Sequence, residues 1–264
     1  MDPQTKTRRN RLTRASWKWL APLLVLALAG GLAYAHEARH QFWRDRLLST
    51  MPNDVAGDPA LVAFARAEAA PVYAKHCAAC HGADLRGNRE IGAPSLADNV
   101  WLYGDGGVFE IERTILYGVR TGNSKSRSVT DMPAFGQRGV LSEAEIRNLV
   151  QYVLKLSRRP YQVEAANEGR RLYSGNANCG DCHAADARGD SYYGAPNLTA
   201  NVWNSGGEPD DLYKAIYFGQ HRTMQAWFGT LSLFEIRALA VYLYAVSNEP
   251  AAGARTTLAA RSAP

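Results

Sequence analysis

The sequence predicts an all-α protein with two tandem domains behind an N-terminal apolar helix. Three observations carry this prediction. An apolar run follows a basic N-terminus, a segment of about one hundred residues recurs, and each copy of it ends in a capping box followed by a helical apolar stripe. No stretch alternates apolar and polar residues with the period of a β-strand, so no sheet is expected.

The first 35 residues contain all the excess positive charge. Their six basic residues and one acidic residue give a net charge of +5, whereas the remainder holds 24 basic and 24 acidic residues. Residues 19–35 carry no charge and are long enough to span a bilayer. They are either a transmembrane anchor behind a basic cytoplasmic segment at 1–18, or a signal peptide cleaved after Ala33-Tyr34-Ala35.

Both interpretations place residues 36–264 on the periplasmic side of a bacterial inner membrane. The retained anchor predicts a single-pass membrane protein, and cleavage predicts a soluble periplasmic protein. Nucleic acid is not an expected partner, because residues 36–264 have no net charge and contain no basic cluster with interleaved aromatic residues.

The repeat defines the expected domains. The motif at 77–81 recurs 102 residues later at 179–183, and the capping box at 142–145 recurs 90 residues later at 232–235. The change in offset predicts one polar insertion in the first copy, at 121–131, which is either a solvated loop or a contact for a redox partner. The predicted boundaries are a linker at 36–57, a first domain at 58–157, a linker at 158–167, a second domain at 168–248 and a flexible tail at 249–264.

Within each copy, short helices are expected from local signals. Asp58 and Pro59 form an N-cap and first-turn pair. Helices at 107–117 and 209–218 are expected to end at Gly118 and Gly219, since glycine readily adopts positive φ at a helix end.

All four cysteines lie in the two C-x-x-C-H motifs, so none is left for a structural disulfide. A thioredoxin-like redox pair would need a strand–helix–strand context, and a four-cysteine zinc site would need motifs about 15–20 residues apart. Covalent haem attachment explains the histidine that directly follows the second cysteine in both copies. The motifs therefore predict two haem c groups, attached at Cys77, Cys80, Cys179 and Cys182, with His81 and His183 as iron ligands.

The sixth iron ligand is expected to be methionine. Apart from Met1 the chain has only Met51, Met132 and Met224, and the last two stand at equivalent places shortly before the two capping boxes. His/Met ligation raises the reduction potential relative to His/His and favours electron transfer. The rival ligand for the second haem is His221, and core packing is the other role open to both methionines.

Two further recurring pairs are candidates for the haem pocket. The indole N–H groups of Trp101 and Trp203 either donate to haem propionates or belong to core aromatics. The loops at Pro94 and Pro196 are expected to supply a carbonyl that orients each ligand histidine.

These motifs resemble those of class I cytochromes c, and most closely those of the dihaem cytochrome c subunit (subunit III) of cbb3-type haem–copper oxidases. The resemblance covers residues 64–248 and rests on the paired C-x-x-C-H motifs, Gly-Ala-Pro-x-Leu after each, Trp-Leu-Tyr-Gly at 101–104 and Met-Pro-Ala-Phe at 132–135. It implies two tandem class I cytochrome c domains after a transmembrane helix. It also implies that His81 and Met132 ligate one iron, and His183 and Met224 the other.

The function implied is respiratory electron transfer by a protein that is not itself an enzyme. Its expected partners are the catalytic subunit of a terminal oxidase, and a donor cytochrome or quinol-oxidising complex. Two alternatives are a free-standing dihaem cytochrome that accepts electrons from a periplasmic dehydrogenase, and a dihaem peroxidase. The peroxidase would need an open iron position and distal acid–base groups, which two well-placed methionines do not favour.

Overall fold

The structure is a computed structural model that describes residues 3–127, 130–200, 203 and 206–249, and only the backbone of residues 3–21. Throughout these residues the regular elements are helices, with isolated backbone bridges and no strand. They are α1 (Pro3–Ser49), a 3-10 helix (Pro52–Gly57), α2 (Pro59–His76), α3 (Ala78–His81), α4 (Val108–Tyr117), α5 (Glu143–Leu156), α6 (Val163–Ser174), α7 (Gly180–His183), α8 (Pro209–Phe218) and α9 (Leu233–Ser247). The prediction of a helical protein without strands is confirmed for this part of the chain.

The chain divides after Ser49 into two compact units. The first unit is formed by α1, which includes the apolar run 19–35. Between residues 23 and 32, six leucine and valine side chains are each more than half exposed. Over the residues available to such a search, the structure contains no helix that is long and apolar enough to cross a membrane.

The predicted linkers contain more helix than expected. Residues 36–49 continue α1, and most of the remainder of the linker 36–57 forms the 3-10 helix. In the linker 158–167, α6 already begins at Val163, just after Gln162 donates its backbone N–H to Gln151 Oε1 at 2.8 Å. Of the predicted tail 249–264, only Glu249 lies within the described residues.

The predicted helix starts are present. Asp58 accepts from two backbone N–H groups in the first turn of α2, each at 3.1 Å. At the start of α5, Glu145 accepts from the Ser142 N–H at 2.8 Å and donates its own N–H to Ser142 Oγ at 3.3 Å. Ser232 and Glu235 form the same capping box at the start of α9.

The last helix of each repeat packs against the first helix of the other repeat. α2 packs against α9, where the rings of Phe64 and Phe234 lie 6.1 Å apart. α6 packs against α5, where the rings of Tyr152 and Tyr173 lie 5.4 Å apart. Gly169 allows this second approach, because a Cβ atom there would overlap the backbone of α5.

This exchange builds two modules, each from both repeats. The first module contains the 3-10 helix, α2, α3, α4 and α9. The second module contains α5, α6 and α8, together with α7, which follows Cys179 at the core of these helices. In the first module Glu112 of α4 forms an ion pair with Arg237 of α9. In the second module the Arg147 guanidinium of α5 lies 5.2 Å from the centre of the Tyr213 ring of α8. The predicted domains 58–157 and 168–248 are thus repeats of sequence, but each exchanges its last helix with the other.

Two crossing segments, residues 119–141 and 219–232, connect the modules. Val119 and Met224 exchange both of their backbone hydrogen bonds, at 2.8 and 3.1 Å. Nearby, Gln220 donates its N–H to the carbonyl oxygen of Met132 at 3.0 Å. The backbone around each methionine is therefore hydrogen-bonded to the segment that leaves the middle helix of the other repeat.

Gly118 and Gly219 make this close approach possible. Their φ angles of 68° and 71° end α4 and α8, as predicted, and are strained for other residues. A Cβ atom at Gly118 would also overlap the Met224 carbonyl oxygen, and one at Gly219 would overlap that of Met132. Each glycine therefore both ends its helix and admits the backbone of the other repeat.

The insertion 121–131 is only partly solvated. Residues 121–125 are exposed, but Arg127 is buried, pairs with Glu110 of α4 and donates from Nε to Thr114 Oγ1 at 3.2 Å. Residues 128–129 lie outside the described residues. The predicted solvated loop is therefore not solvated at Arg127, because its guanidinium contacts a carboxylate and a hydroxyl on α4.

A double-mutant cycle between Glu112 and Arg237 tests the exchange. Replacing either by glutamine leaves a charge with an accessible side-chain fraction of only 10% or 14%, so each change is expected to cost about 3 kcal/mol. The double substitution should cost less than the sum of the two by about 1–3 kcal/mol, measured by chemical denaturation.

Arg147 is the matched control, because it occupies in α5 the repeat position that Arg237 occupies in α9. Two domains without exchange would bring Glu112 close to Arg147. We expect Glu112→Gln and Arg147→Gln to be additive within about 0.5 kcal/mol. Coupling between Glu112 and Arg147 instead would contradict the exchanged packing.

Candidate haem sites

Each C-x-x-C-H motif forms a single helical turn. The backbone N–H of His81 donates to the Cys77 carbonyl at 2.9 Å, and that of His183 donates to the Cys179 carbonyl at 2.9 Å. Residues three and four apart share a face of such a turn, so each motif presents two thiols and an imidazole together. Both histidines are buried, with 9% of their surface exposed.

A proline carbonyl orients each histidine. His81 Nδ1 lies 3.0 Å from the Pro94 carbonyl oxygen, and His183 Nδ1 lies 3.1 Å from that of Pro196. Since a carbonyl can only accept, Nδ1 carries the proton and donates, which leaves Nε2 with its lone pair available to a metal. The Gly-Ala-Pro loops therefore hold both imidazoles in the tautomer that an iron ligand needs.

Burial lowers the pKa of His81 and of His183, although the hydrogen bond to proline acts in the opposite direction on each. Desolvation is the larger cause, since it disfavours the charged imidazolium. Both imidazoles are thus neutral at pH 7, the form in which histidine binds a metal.

The thiol environment argues against a redox-active or zinc-binding role. Burial, reinforced by the neighbouring Cys80, raises the pKa of Cys77 to about 11, and burial likewise raises that of Cys179 to about 11. A reactive dithiol needs a readily formed thiolate, which is favoured by a lowered pKa. In addition, the two motifs belong to different modules, and the described residues hold no group of three or more metal-binding histidine, cysteine or acidic side chains.

Two tyrosines that the sequence analysis missed fix the ends of the motifs. Tyr73 Oη donates to the Gly82 carbonyl at 2.7 Å, and Tyr173 Oη donates to the Ala184 carbonyl at 2.6 Å. The two residues are 100 positions apart, whereas the motifs are 102 apart. A comparison of the copies that allowed short gaps would have aligned them.

Met132 belongs to the second module. It packs against the hydrophobic core formed by α5, α6 and α8, and the same core is contacted by Cys179, Trp203 and Phe135. The Phe135 N–H donates to the Ile216 carbonyl of α8 at 3.1 Å, which holds the Met132 segment against that helix. The structure thus places Met132 with the motif of His183.

Met224 belongs to the first module. Its segment is hydrogen-bonded to Val119, and the N–H of Trp227, three residues further on, donates to the Ile115 carbonyl of α4 at 3.1 Å. The Trp227 ring lies 5.2 Å from that of His76, the residue just before Cys77. The structure therefore does not bring His81 and Met132, or His183 and Met224, into the same module, because the crossing segments carry each methionine into the module of the other repeat.

One continuous cavity of about 880 Å³ is bordered by both sites. Its lining includes all four cysteines, both motif histidines, Pro94, Pro196, Trp101, Trp203, Met132 and Met224. His221 is not part of this lining; its side chain is 55% exposed and its Nδ1 lies 3.1 Å from Asp131 Oδ2. The position of His221 does not favour it as the rival ligand for the second haem.

The two tryptophans differ in their surroundings. Trp203 Nε1 is buried and has no hydrogen-bond partner among the described residues, although it lines the cavity. Trp101 lines the same cavity and also borders a polar cleft of about 430 Å³ with Asn53 and Asp105. A buried indole N–H without a partner is rare and is explained if a bound group supplies the acceptor.

Two modules that each present an oriented neutral imidazole, a pair of cysteines on the same turn and a methionine define a c-type cytochrome. The chain belongs to the family of subunit III of the cbb3-type cytochrome c oxidases, whose family model matches residues 65–153 and 164–243. The family resemblance of its motifs is thus confirmed, and with it the prediction of an electron-transfer subunit rather than a catalytic one.

Individual relatives agree with this assignment. The chain is 40% identical over 196 residues to the cbb3-type oxidase subunit FixP of Bradyrhizobium sp. (strain ORS 278), a match that covers 74% of this chain and 66% of the relative. It is 32% identical over 205 residues to subunit CcoP of Cereibacter sphaeroides, covering 78% and 69%. It is 31% identical over 238 residues to FixP of Rhizobium meliloti, covering 86% and 80%.

Replacing Gly87 by alanine tests how closely the proline loop is packed behind His81. Gly87 has φ +78°, and a Cβ atom there would overlap the backbone at Ala93 and Pro94. Positive φ alone should cost about 1–2 kcal/mol. The overlap should add about 1–3 kcal/mol, since the loop that orients His81 must move. Chemical denaturation measures the total.

Gly122 is the control, because it has the same φ of +78° but no atom of the described residues lies within 4 Å of an added Cβ. Gly122→Ala should show the backbone cost alone. Gly189, the equivalent of Gly87 in the second repeat, should repeat the larger cost. Equal losses of stability at Gly87 and Gly122 would contradict the packing described.

Proposed function

We propose that the chain binds two haem c groups and passes electrons between them, with each iron held by a histidine of one repeat and a methionine of the other. The first haem would be attached at Cys77 and Cys80 and ligated by His81 and Met224. The second would be attached at Cys179 and Cys182 and ligated by His183 and Met132.

The observation that carries the proposal is the pair of proline-oriented, neutral imidazoles that border one cavity together with both methionines. The residues fit haem in three further respects. The walls are mainly aliphatic and aromatic, each motif supplies two thiols beside its imidazole, and the buried Trp203 N–H suits a propionate acceptor. Trp101 stands at the equivalent place for the first haem.

Haem supplies a one-electron iron couple. The chain would contribute two things to it: a neutral imidazole held by a carbonyl, and a thioether that occupies the remaining iron position. That full set of ligands leaves no place for hydrogen peroxide or oxygen, which favours electron transfer over the peroxidase alternative. The exchanged methionines would also tie the ligation of each haem to the fold of both repeats.

The pairing can be tested with a reporter for the second haem. Cys182→Ala leaves that haem attached by a single thioether. The unreacted vinyl group should then move the α-band of its reduced spectrum to longer wavelength. The displaced band reports the potential of the second haem, and the undisplaced band reports that of the first.

In this reporter protein, Met132→His should lower the potential of the displaced band, because His/His ligation has a lower potential than His/Met. Met224→His should lower the potential of the undisplaced band. Redox titration followed at both wavelengths measures the two effects. If Met132→His instead lowers the potential of the undisplaced band and Met224→His that of the displaced band, each methionine ligates the iron of its own repeat.

We infer that the protein serves the respiratory chain as a subunit of, or direct donor to, a cbb3-type terminal oxidase. The support is family membership, together with relatives that are subunits of such oxidases. The matches with the first two relatives cover 66% and 69% of the relative's own length. The expected partners are the catalytic subunit of the oxidase, and a donor cytochrome or quinol-oxidising complex.

We also propose that residues 19–35 anchor the chain in the bacterial inner membrane, with residues 36–264 in the periplasm. The basic residues before this run favour retention of the N-terminus in the cytoplasm. The six exposed leucine and valine side chains between residues 23 and 32 support burial in lipid, since apolar surface of this kind marks a membrane or protein contact.

Purification tests both inferences together. A C-terminally tagged chain, extracted from bacterial membranes with mild detergent, should co-purify with a haem–copper subunit. Its N-terminal sequence should begin before residue 19. A tagged protein that purifies alone would contradict the oxidase assignment, and an N-terminus at His36 would contradict the anchor.

A further inference from the structure

Arg222 lies two residues before Met224 and borders the cavity of the haem sites. Its side chain lies flat against Gly92, where an added Cβ atom would overlap its Nε, Cδ and Cζ atoms. Its backbone is held as well, because Arg120 Nη1 donates to the Arg222 carbonyl at 2.8 Å. The fold therefore brings a guanidinium of the second repeat onto a loop of the first.

The loop that Arg222 covers is the one that orients His81. It is closed by a pair of hydrogen bonds between Asn88 and Ala93, both 2.9 Å, and its Pro94 carbonyl lies 3.0 Å from His81 Nδ1. Arg222 thus lies beside the loop that orients His81 and in the segment that carries Met224, the two proposed ligands of the first iron.

The second site has no cation at the corresponding places. Aligned on the methionines, the residue that corresponds to Arg222 is Thr130. Gly194, the equivalent of Gly92, is covered by the ring of Tyr103 instead of a guanidinium. Arg120 also borders the cavity, but it forms an ion pair with Asp131, the residue next to Met132.

We propose that Arg222 raises the reduction potential of the first haem above that of the second. The inference rests on the proposed function, with two His/Met haems in the exchanged pairing. A ferric haem carries one more positive charge than a ferrous haem, so a nearby cation disfavours the oxidised form. Electron exchange between the two sites would transfer one electron from the second haem to the first, with no bond or proton transferred.

The environment of Arg222 strengthens the effect. Burial lowers the pKa of Arg222, as expected for a cation that has lost part of its hydration, but an arginine remains charged at neutral pH. A partly buried charge is screened by salt much less than an exposed one. Arg222 thus acts electrostatically, through space, on the potential of the first haem iron and not as a ligand.

The test uses the Cys182→Ala reporter protein with both haems bound. Arg222→Thr installs the residue of the corresponding position in the other crossing segment. It should lower the potential of the undisplaced band by an amount equivalent to about a tenfold change in the electron-exchange equilibrium, or about 59 mV. The displaced band should move much less, and the sulfur-to-iron charge-transfer absorption of the oxidised protein should persist.

Two variants separate charge from packing. Arg222→Lys keeps the cation and should retain most of the raised potential of the undisplaced band. Tyr103→Phe, at the corresponding contact with Gly194 in the second site, should change the potential of neither band. If Arg222→Thr gives no holoprotein, Thr130→Arg provides the converse test and should raise the potential of the displaced band.

The proposal would be overturned if Arg222→Thr left the potential of the undisplaced band unchanged while its charge-transfer absorption remained intact. An equal loss of potential in Arg222→Lys would also overturn it, because packing and not charge would then be responsible. A parent protein without two His/Met haem spectra would instead overturn the proposed function. The two failures are distinguishable, since the second is visible before any change at Arg222.

Discussion

The backbone pairing of the two crossing segments is the constraint on which the rest of the second unit depends. Val119 and Met224 share two hydrogen bonds, and Met132 accepts one from Gln220. This contact is possible only because Gly118 and Gly219 have no side chain in the path of the crossing backbone. Once the segments cross, α5 must pack on α6 and α9 on α2, and each module is completed by a helix of the other repeat.

This arrangement makes each candidate haem site a property of both repeats. The histidine is positioned locally, by a helical turn and a proline carbonyl within about twenty residues of sequence. The methionine arrives from the other repeat and is held by hydrogen bonds to the end of α4 or α8. A change in either crossing segment is therefore expected to alter both sites. The repeats are thus not independent units joined by a linker.

The two modules are nevertheless not equivalent. The insertion 121–131 folds back on α4 through Arg127, and only the first repeat has it. Trp203 has a buried indole N–H without a hydrogen-bond partner among the described residues, whereas Trp101 borders a polar cleft. Arg222 covers the loop of the first site, and Tyr103 covers that of the second. Such differences in local charge and burial are the means by which a duplicated chain can give the two proposed haems unequal potentials.

The sequence by itself determined the features that depend on neighbours along the chain. The motif at 77–81 specifies a helical turn with two thiols and an imidazole, and the serine–glutamate boxes specify where α5 and α9 begin, since those bonds span only three or four residues. Only the tertiary structure decided which methionine shares a module with which histidine. The repeats are so alike in pattern that the same apolar stripes fit either partner, and the choice falls to contacts between residues about a hundred positions apart: Gly118 with Met224, Glu112 with Arg237, and Arg222 with Gly92.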